Sequence, residues 1–304
     1  MSVQLELENL PMKKLLRYIF KENYSQLRNY YRKVKELNLT YVLETLKDKK
    51  TFQNVDKYCM FIGYPRSGHS LVGYLLDAHP NIIIAHELNA LNFVDMGFNQ
   101  QQIYYLILKN SRKLATQGRE WSGYSYEVHH QWQGKFRDLK VIGDKKGGDS
   151  TSKLRYKPEL LNVLQNKIDV TAKFIHVIRN PYDNISTMYT RFNKNKKDEK
   201  LADSINQYFG FCDTIAQLKQ EINQGDMIDI RHEEIISNSK FWLNEICNFL
   251  GIDAGNDYLD DCANIIYQSP NKSRHKVQWN DELIETVKNK INQYDFLSGY
   301  SYED

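Results

Sequence analysis

The ten residues FIGYPRSGHS at positions 61–70 constrain the fold of this chain more than any other stretch. An apolar run leads into a loop bounded by Gly63 and Gly68, and leucines at helical spacing follow at once, which predicts a strand, a tight loop and a helix. Such a loop binds anions, because its glycines allow close approach and the helix start offers free N–H groups. The spacing matches G-x-x-x-x-G-K-[ST], except that His69 stands at the lysine position and Arg66 is the nearest cation. A kinase-type loop needs that lysine, so this loop must hold its anion differently.

From Lys57 onward, short apolar runs alternate with segments of helical spacing. This alternation predicts an α/β domain with a mainly parallel sheet, and together with the loop it predicts a P-loop-type three-layer α/β/α fold. The expected strands cover residues 59–62, 81–85, 139–142, 172–178 and 227–230, and residues 143–150 are expected to form a loop. The expected helices cover about 68–78, 99–115, 157–166, 182 onward, 200–223, 237–250, 257–267 and 281–293. Loops that follow parallel strands meet at one edge of the sheet, where α/β proteins bind ligands.

Residues 1–55 differ from the main domain, which we place at 56–304. They carry a basic amphipathic pattern, with apolar residues such as Leu15, Ile19 and Leu27 at helical spacing. We expect two or three helices that form an extension packed on the main domain. A membrane-surface role for the basic face is the alternative.

Composition limits the class of protein. At 304 residues, with 41% hydrophobic and 26% charged residues, the chain has the profile of a globular protein with one large domain, and two domains are possible. A net charge of +3 is too small to indicate a nucleic-acid partner. The four cysteines show no C-x-x-C spacing, which disfavours a metal or redox motif. No apolar run is long enough to span a bilayer and no secretory signal is present, so we expect a cytoplasmic location.

Cations recur in the segments that follow the predicted strands. Arg66 lies in the first loop, Lys145 and Lys146 follow the third strand, Arg179 follows the fourth, and the run Ser273-Arg274-His275-Lys276 lies in a late loop. Each cation alone is compatible with an ordinary solvated surface residue. Together they predict a ligand with anionic groups at both ends.

Four segments resemble the sulfotransferases that use 3′-phosphoadenosine-5′-phosphosulfate (PAPS). Residues 64–70 (YPRSGHS) resemble their 5′-phosphosulfate loop, and residues 179–187 (RNPYDNIST) resemble their 3′-phosphate motif, in which an arginine and a hydroxyl eight residues later bind the phosphate. Residues 230–235 (IRHEEI) with 249–251 (FLG) resemble the family's R-Y-E-D-L and F-L-G stretch, and residues 143–146 (GDKK) resemble a G-D-K segment of bacterial members. The similarity spans roughly residues 57–300, in order.

The resemblance implies PAPS as the sulfuryl donor and no metal. It assigns the 5′ end of the nucleotide to the loop and the 3′-phosphate to Arg179 and Thr187, with Ser186 as a second candidate. His232 stands where the family has the tyrosine near adenine. The cofactor-binding candidates are Arg66, Ser67, Gly68, His69, Ser70, Arg179, Ser186, Thr187, His232, Ser273, Arg274 and His275.

The implied reaction is in-line sulfuryl transfer to an acceptor, with Arg66 stabilising the leaving phosphate and a general base accepting the proton. Glu87 is the first candidate for the base and His86 the second; adjacent strand residues face opposite ways, so we expect only one to reach the site. Lys145, His129 and His130 are candidates for acceptor contacts, and the two histidines are equally compatible with a surface loop.

We expect the acceptor to be a small molecule, a natural-product hydroxyl or nitrogen. A carbohydrate sulfotransferase is the nearest alternative. A P-loop kinase or a non-catalytic nucleotide-binding protein is the alternative from a different class.

Overall fold

A computed structural model describes residues 50–121, 123–193 and 200–304 of the chain. Residues from Phe52 to Asp304 form one compact unit. The predicted helical extension at 1–55 lies, up to residue 49, outside the described residues.

The described chain contains seven strands and eleven α-helices. The strands are β1 (Lys57–Ile62), β2 (Ile82–His86), β3 (Glu120–Trp121), β4 (Tyr124–Ser125), β5 (Val141–Lys145), β6 (Thr171–Ile178) and β7 (Met227–Arg231). The helices are α1 (His69–Asp77), α2 (Ala90–Asp95), α3 (Gln100–Ala115), α4 (Gly147–Tyr156), α5 (Leu160–Lys167), α6 (Pro181–Asn193), α7 (Leu201–Glu221), α8 (His232–Ser237), α9 (Ser239–Phe249), α10 (Asn256–Asn264) and α11 (Asp281–Ile291).

Five strands form the central sheet in the order β2-β5-β1-β6-β7, and every neighbouring pair is parallel. The strands are buried apolar runs because helices cover both faces. On one face, Cys59 and Phe61 of β1 pack in a core shared with α1, α9 and α10. On the other face, the ring of Tyr58 stacks on Tyr104 of α3 at 6.4 Å between centroids. The predicted P-loop-type α/β/α fold with a mainly parallel sheet is confirmed.

The prediction for residues 139–150 was wrong in detail. β5 continues through Gly143, Asp144 and Lys145, and α4 begins at Gly147, inside the predicted loop. Charged and glycine-rich sequence is typical of loops, but here the charges are buried with partners. The Asp144 carboxylate accepts hydrogen bonds from the backbone N–H groups of Leu88 and Ala90, at 3.2 and 2.7 Å. Tertiary partners therefore allow a strand where local composition predicts a loop.

Candidate active site

One cavity lies at the carboxyl edge of the central sheet, and a polar residue at or just after the end of each strand lines it. The cavity measures about 1130 Å³. β1 lies in the middle of the sheet, with β5 and β2 on one side of it and β6 and β7 on the other. The loop after β1 therefore lies where the strand order changes direction, which is where α/β sheets bind ligands. The lining residues are Arg66 after β1, Glu87 after β2, Lys145 and Lys146 at the end of β5, Arg179 after β6 and His232 after β7.

The loop between β1 and α1 has a backbone that its glycines make possible. Gly63 and Gly68 have φ values of 137° and 104°, which side-chain-bearing residues rarely adopt. At Gly68 a Cβ would also lie 2.3 Å from Nδ1 of His232. The neighbouring elements hold the loop: the Gly63 N–H donates to Thr151 of α4 at 2.7 Å, and Asn184 of α6 donates to the carbonyl of Pro65 at 2.8 Å. The conformation of the loop is thus set from two sides.

The structure accounts for the histidine at the lysine position. The His69 ring is buried beneath the loop, donates from Nε2 to the carbonyl of Ile62 at 3.0 Å, and lies 3.3 Å from Oγ of Ser67. Burial, followed by the charge of Lys145, lowers the pKa of His69 to about 3, so the ring is neutral. A neutral imidazole cannot replace the lysine of a kinase loop. We therefore infer that His69 supports the loop and that the cation comes from elsewhere.

Two glycines make room for this imidazole. A Cβ on Gly147 would lie 2.3 Å from Cε1 of His69, and a Cβ on Gly63 would lie 2.9 Å from its Nε2. Gly147→Ala is therefore expected to destabilise the fold by about 1–3 kcal/mol through overpacking. In the double variant Gly147→Ala/His69→Ala, the loss should be smaller than the sum of the two single losses. Denaturant unfolding measures all three free energies.

The control for this cycle is Gly225→Ala, because a Cβ there meets nothing within 4 Å. It should leave the free energy of unfolding unchanged. If the double variant lost as much free energy of unfolding as the two single variants together, the steric conflict between a Cβ at position 147 and the His69 ring would be contradicted.

Arg179 organises the opposite end of the cavity. Its Nη1 donates to the carbonyl of Arg66 and to Oγ1 of Thr187, both at 3.2 Å, and its Nη2 donates to Oγ of Ser273 at 3.2 Å. The hydroxyls of Thr187 and Ser273 are hydrogen-bonded to each other at 3.0 Å. One guanidinium thus connects the first loop, α6 and the late loop around two hydroxyls that line the cavity.

Glu87 lies between two lysines. Its carboxylate accepts hydrogen bonds from Nζ of Lys145 and from Nζ of Lys146, and Lys145 also donates to Oγ of Ser70 at 3.1 Å. Burial acts to raise the pKa of Glu87, but the two lysines outweigh it and lower the pKa to about 2. The aliphatic part of Lys145 passes α1 at Gly73, where a Cβ would lie 2.7 Å from Cγ of Lys145. The buried Lys145 thus brings a cation next to the loop.

His86 faces away from Glu87. Its ring is buried, stacks on Tyr74 at 4.5 Å between centroids, and meets Trp121 edge to face at 4.5 Å. Burial, followed by the charge of Lys145, lowers its pKa to about 3. In the part of the chain that the structure describes, Glu87 lines the cavity and His86 does not.

Several other candidates have structural partners away from the cavity. The Ser186 hydroxyl accepts a hydrogen bond from Nε1 of Trp279 at 3.0 Å, and Arg274 forms a buried ion pair with Asp183 at 3.0 Å. His275 packs near the ring of Tyr302. In the described part of the chain, the following candidates lie outside the cavity lining: Ser67, Ser186, Arg274, His275, His129 and His130.

The cavity also has lining residues that the sequence did not single out. Arg191 and Lys272 add positive charge, and Trp121, Tyr124, Tyr126 and Tyr267 form an aromatic side. His129 and His130 were candidates for acceptor contacts, but Trp121, Tyr124 and Tyr126, which precede them in the chain, line the cavity instead. Arg191 lies four residues after Thr187 on α6, which places the two residues on the same face of the helix, and this helical spacing was the available signal.

The stability of the fold should depend on pH through three buried histidines. Burial lowers the pKa of His69, His86 and His232 to about 3, against about 6.5 in an unfolded chain. The unfolded state then binds more protons below pH 6.5, so stability falls as the pH drops. Asp144 and Asp77 act in the opposite direction, because burial raises the pKa of both carboxyls, that of Asp144 to about 6. The three histidines outweigh these two carboxyls, and we expect the melting temperature to drop by about 5 °C or more between pH 7.5 and 5.

Thermal melts in buffers of constant ionic strength test this expectation. A melting temperature at pH 5 equal to or above that at pH 7.5 would contradict it.

The fold and the site together define a P-loop-type α/β protein with a cationic cavity at the carboxyl edge of its sheet. A model of the Sulfotransferase family matches residues 60–256, which is more than half of the chain. The chain therefore belongs to the sulfotransferase family.

The chain is similar to several solved structures of sulfotransferases. The sulfotransferase domain from the curacin biosynthetic pathway is 13% identical, with a TM-score of 0.50 over 80% of this chain and 99% of that chain. The sulfotransferase domain of the Synechococcus PCC 7002 olefin synthase is 18% identical, with a TM-score of 0.44 over 76% and 83%. Mouse sulfotransferase SULT7A1, complexed with PAP, is 15% identical, with a TM-score of 0.41 over 78% and 75%. At 13% identity, the likeness to the curacin-pathway domain concerns the fold alone.

A comparison with curated proteins found no match. Among the described residues, no helix has the length and apolar character that crossing a membrane requires.

Proposed function

We propose that this protein transfers the sulfuryl group of PAPS to a hydroxyl group of a small-molecule acceptor. The observation that carries the proposal is the position of Arg179. It donates to the carbonyl of Arg66 in the first loop and, from the same guanidinium, to the hydroxyls of Thr187 and Ser273. A ligand with anionic groups at both ends would therefore meet both groups of residues in one cavity.

The residues present fit such a nucleotide. Seven Lys or Arg side chains line the cavity against two acidic ones. The buried Nε atoms of Arg66 and Arg179 and Nδ1 of His232 find no hydrogen-bond partner among the described residues. Buried polar atoms without partners are costly unless a ligand supplies the missing hydrogen bonds. The loop N–H groups, Arg66 and Ser70 would hold the 5′ end, and Arg179, Thr187 and Ser273 would hold the 3′-phosphate.

The roles of the side chains follow from charge. PAPS, when bound, supplies an activated sulfuryl group on a phosphate leaving group. Arg66 has a planar guanidinium that can bond two oxygens at once, which suits the negative charge that develops on the leaving phosphate. Lys145 stands beside Ser70 and takes the place of the lysine that is missing from position 69.

Glu87 accepts the acceptor's proton in this proposal. It is the carboxylate that lines the cavity nearest Lys145 and Lys146, to which it is hydrogen-bonded. Its backbone is fixed, since its N–H donates to the carbonyl of Lys145 at 3.1 Å. His86 lies behind the lining and takes no part.

The test is thermal stabilisation by 3′-phosphoadenosine 5′-phosphate, the desulfated product. A ligand that binds only the folded state at 100 times its Kd stabilises it by about 2.7 kcal/mol, so the melting temperature should rise by several degrees. ATP with Mg²⁺ should stabilise the protein less. No shift with the desulfated nucleotide, or a larger shift with ATP and Mg²⁺, would refute the proposal.

The neighbouring hydroxyls of Thr187 and Ser186 provide a matched pair of variants that tests where the 3′-phosphate binds. Thr187→Val should reduce the nucleotide-induced shift, because Thr187 lines the cavity. Ser186→Ala should keep the shift, because the Ser186 hydroxyl is buried against Trp279. Equal shifts in both variants would argue against this placement of the 3′-phosphate.

A further inference from the structure

One side of the cavity is aromatic. Trp121 and Tyr124, from the two strands of the β3–β4 hairpin, line it together with Tyr126 and Tyr267. We call these four residues the aromatic wall. Trp121 and Tyr124 are 38% and 43% exposed, so large apolar rings stand open to the cavity without protein covering them. Exposed rings of this size next to polar groups are typical of ligand-binding surfaces.

The aromatic wall is firmly supported, and its rings are tilted against one another, since the Tyr124 ring lies at 50° to that of Tyr126 and at 54° to that of Tyr267. The ring of Tyr126 stacks on Tyr74 with a centroid distance of 4.8 Å and an interplanar angle of 13°. Tyr74 in turn stacks on His86 at 4.5 Å and 23°, and His86 supports the edge of Trp121. The hydroxyls of Tyr126 and Tyr267 are hydrogen-bonded to each other at 3.3 Å. Rigid aromatic rings that meet at such angles favour an aromatic ligand, which can lie face to face with one ring and edge to face with the next.

The aromatic wall lies beside the proposed reaction centre. The ring of Trp121 contacts His86, the neighbour of Glu87 in the chain, and Arg66, Glu87, Lys145 and Lys146 line the same cavity as the aromatic wall. A molecule stacked on the aromatic wall would therefore share the cavity with Arg66, Glu87 and the two lysines.

We propose that the acceptor is a phenol, that its ring stacks on the aromatic wall, and that its hydroxyl oxygen is the nucleophile. This inference rests on the proposed function and specifies its acceptor. In the reaction, the bond between the phenol oxygen and sulfur forms as the bond between sulfur and the bridging oxygen of the 5′-phosphate breaks. The electron pair of the broken bond stays on 3′-phosphoadenosine 5′-phosphate. The phenol proton passes to the Glu87 carboxylate and then to solvent.

The charges around Glu87 agree with a phenol. With a pKa of about 2, Glu87 is a weak base. A weak base suits an acceptor that gives up its proton readily, and a phenol has a pKa of roughly 10, far below that of an aliphatic alcohol. Nearby positive charges lower the pKa of an acid by roughly 1–3 units, so Arg66 and Lys145 would favour the phenolate further.

Matched pairs of acceptors test the proposal. 4-Methylphenol and 2-naphthol should be sulfated with kcat/KM at least 10²-fold above 4-methylcyclohexanol and decahydro-2-naphthol, which have similar size but neither the flat ring nor the acidity. Transfer from radiolabelled PAPS measures all four. Equal or faster transfer to the saturated alcohols, or no transfer to any of the four while the desulfated nucleotide still stabilises the protein, would overturn the phenol proposal alone. Failure of the nucleotide to bind would instead overturn the proposed function.

Variants of the aromatic wall separate stacking from general effects on the fold. Trp121→Ala and Tyr124→Ala should each raise KM for 2-naphthol about 10-fold or more, with little change in kcat and an unchanged nucleotide-induced shift. Trp121→Phe should restore most of the lost affinity. Tyr156→Ala is the matched control, since Tyr156 is 79% exposed and lies outside the cavity lining. An unchanged KM in both alanine variants would overturn the proposal.

Discussion

Arg66→Ala is expected to lower kcat for sulfuryl transfer by about 10³-fold, which would be the largest loss from any single substitution in the cavity. Arg66 lies in the first loop with its buried Nε free of partners among the described residues, so its guanidinium is available to a ligand. Its backbone carbonyl, which Arg179 holds at 3.2 Å, is the same in the variant. Alanine also keeps a Cβ at a φ of 74°, so the backbone is no more strained than before. The loss would therefore report the guanidinium itself.

Arg66→Lys separates the contribution of the positive charge from that of the planar guanidinium. Lysine keeps the positive charge but cannot bond two oxygens in one plane, so its kcat should lie between those of the wild type and the alanine variant. Single-turnover measurements at saturating PAPS give the comparison. The control is Arg112→Ala, which removes an exposed arginine of α3. A kcat for Arg66→Ala within 10-fold of the wild type would show that the leaving phosphate is stabilised elsewhere.

Glu87→Gln is expected to lower turnover by a factor on the order of 10² or more while nucleotide binding persists. Glutamine keeps the shape of the side chain but cannot accept the proton, and it leaves the buried Lys145 without its counterion. A fully buried pair broken in this way costs about 3–5 kcal/mol of stability, and the partial exposure of Glu87 should reduce that to about 2 kcal/mol. Turnover and melting temperature should therefore both fall.

The matched control is Asp95→Asn. Asp95 is another carboxylate between two lysines, Lys153 and Lys157, but it lies away from the cavity lining. Asp95→Asn should cost some stability without lowering turnover. If Glu87→Gln kept full turnover, the proton acceptor would have to be another group.

The sequence predicted most elements of the fold because their signals are local. Strand β1, helix α1 and the boundary near Pro181 each follow from a few neighbouring residues, and the structure agrees with them to within a few positions. Helices α2 and α8 and the β3–β4 hairpin were not predicted, and residues 143–150 were predicted as a loop. Their glycines and charges resemble a loop until the partners of Asp144 and Lys145 are known, and those partners lie more than fifty residues away.

The choice between Ser186 and Thr187 shows the same limit within the candidate site. Both hydroxyls lie on α6, and neighbouring residues of a helix point in directions that differ by about 100°. The spacing from Arg179 favoured Thr187 but could not establish which side chain meets the ligand. In the structure Thr187 contacts Arg179, whereas Ser186 contacts Trp279.

By itself, the sequence determined that strands and helices alternate and that a glycine-bounded loop follows the first strand. Parallel strands place the segments after them at a common edge, so the sequence also predicted that Arg66, Glu87 and Arg179 would meet there. Only the tertiary structure decided the partners: Glu87 with Lys145 and Lys146, His69 beneath the loop between Gly63 and Gly147, and an aromatic side of the cavity that Arg66 also lines. The physical reason is that periodicity is a local property of the chain, whereas charge pairing, burial and ring stacking depend on residues that are distant in sequence.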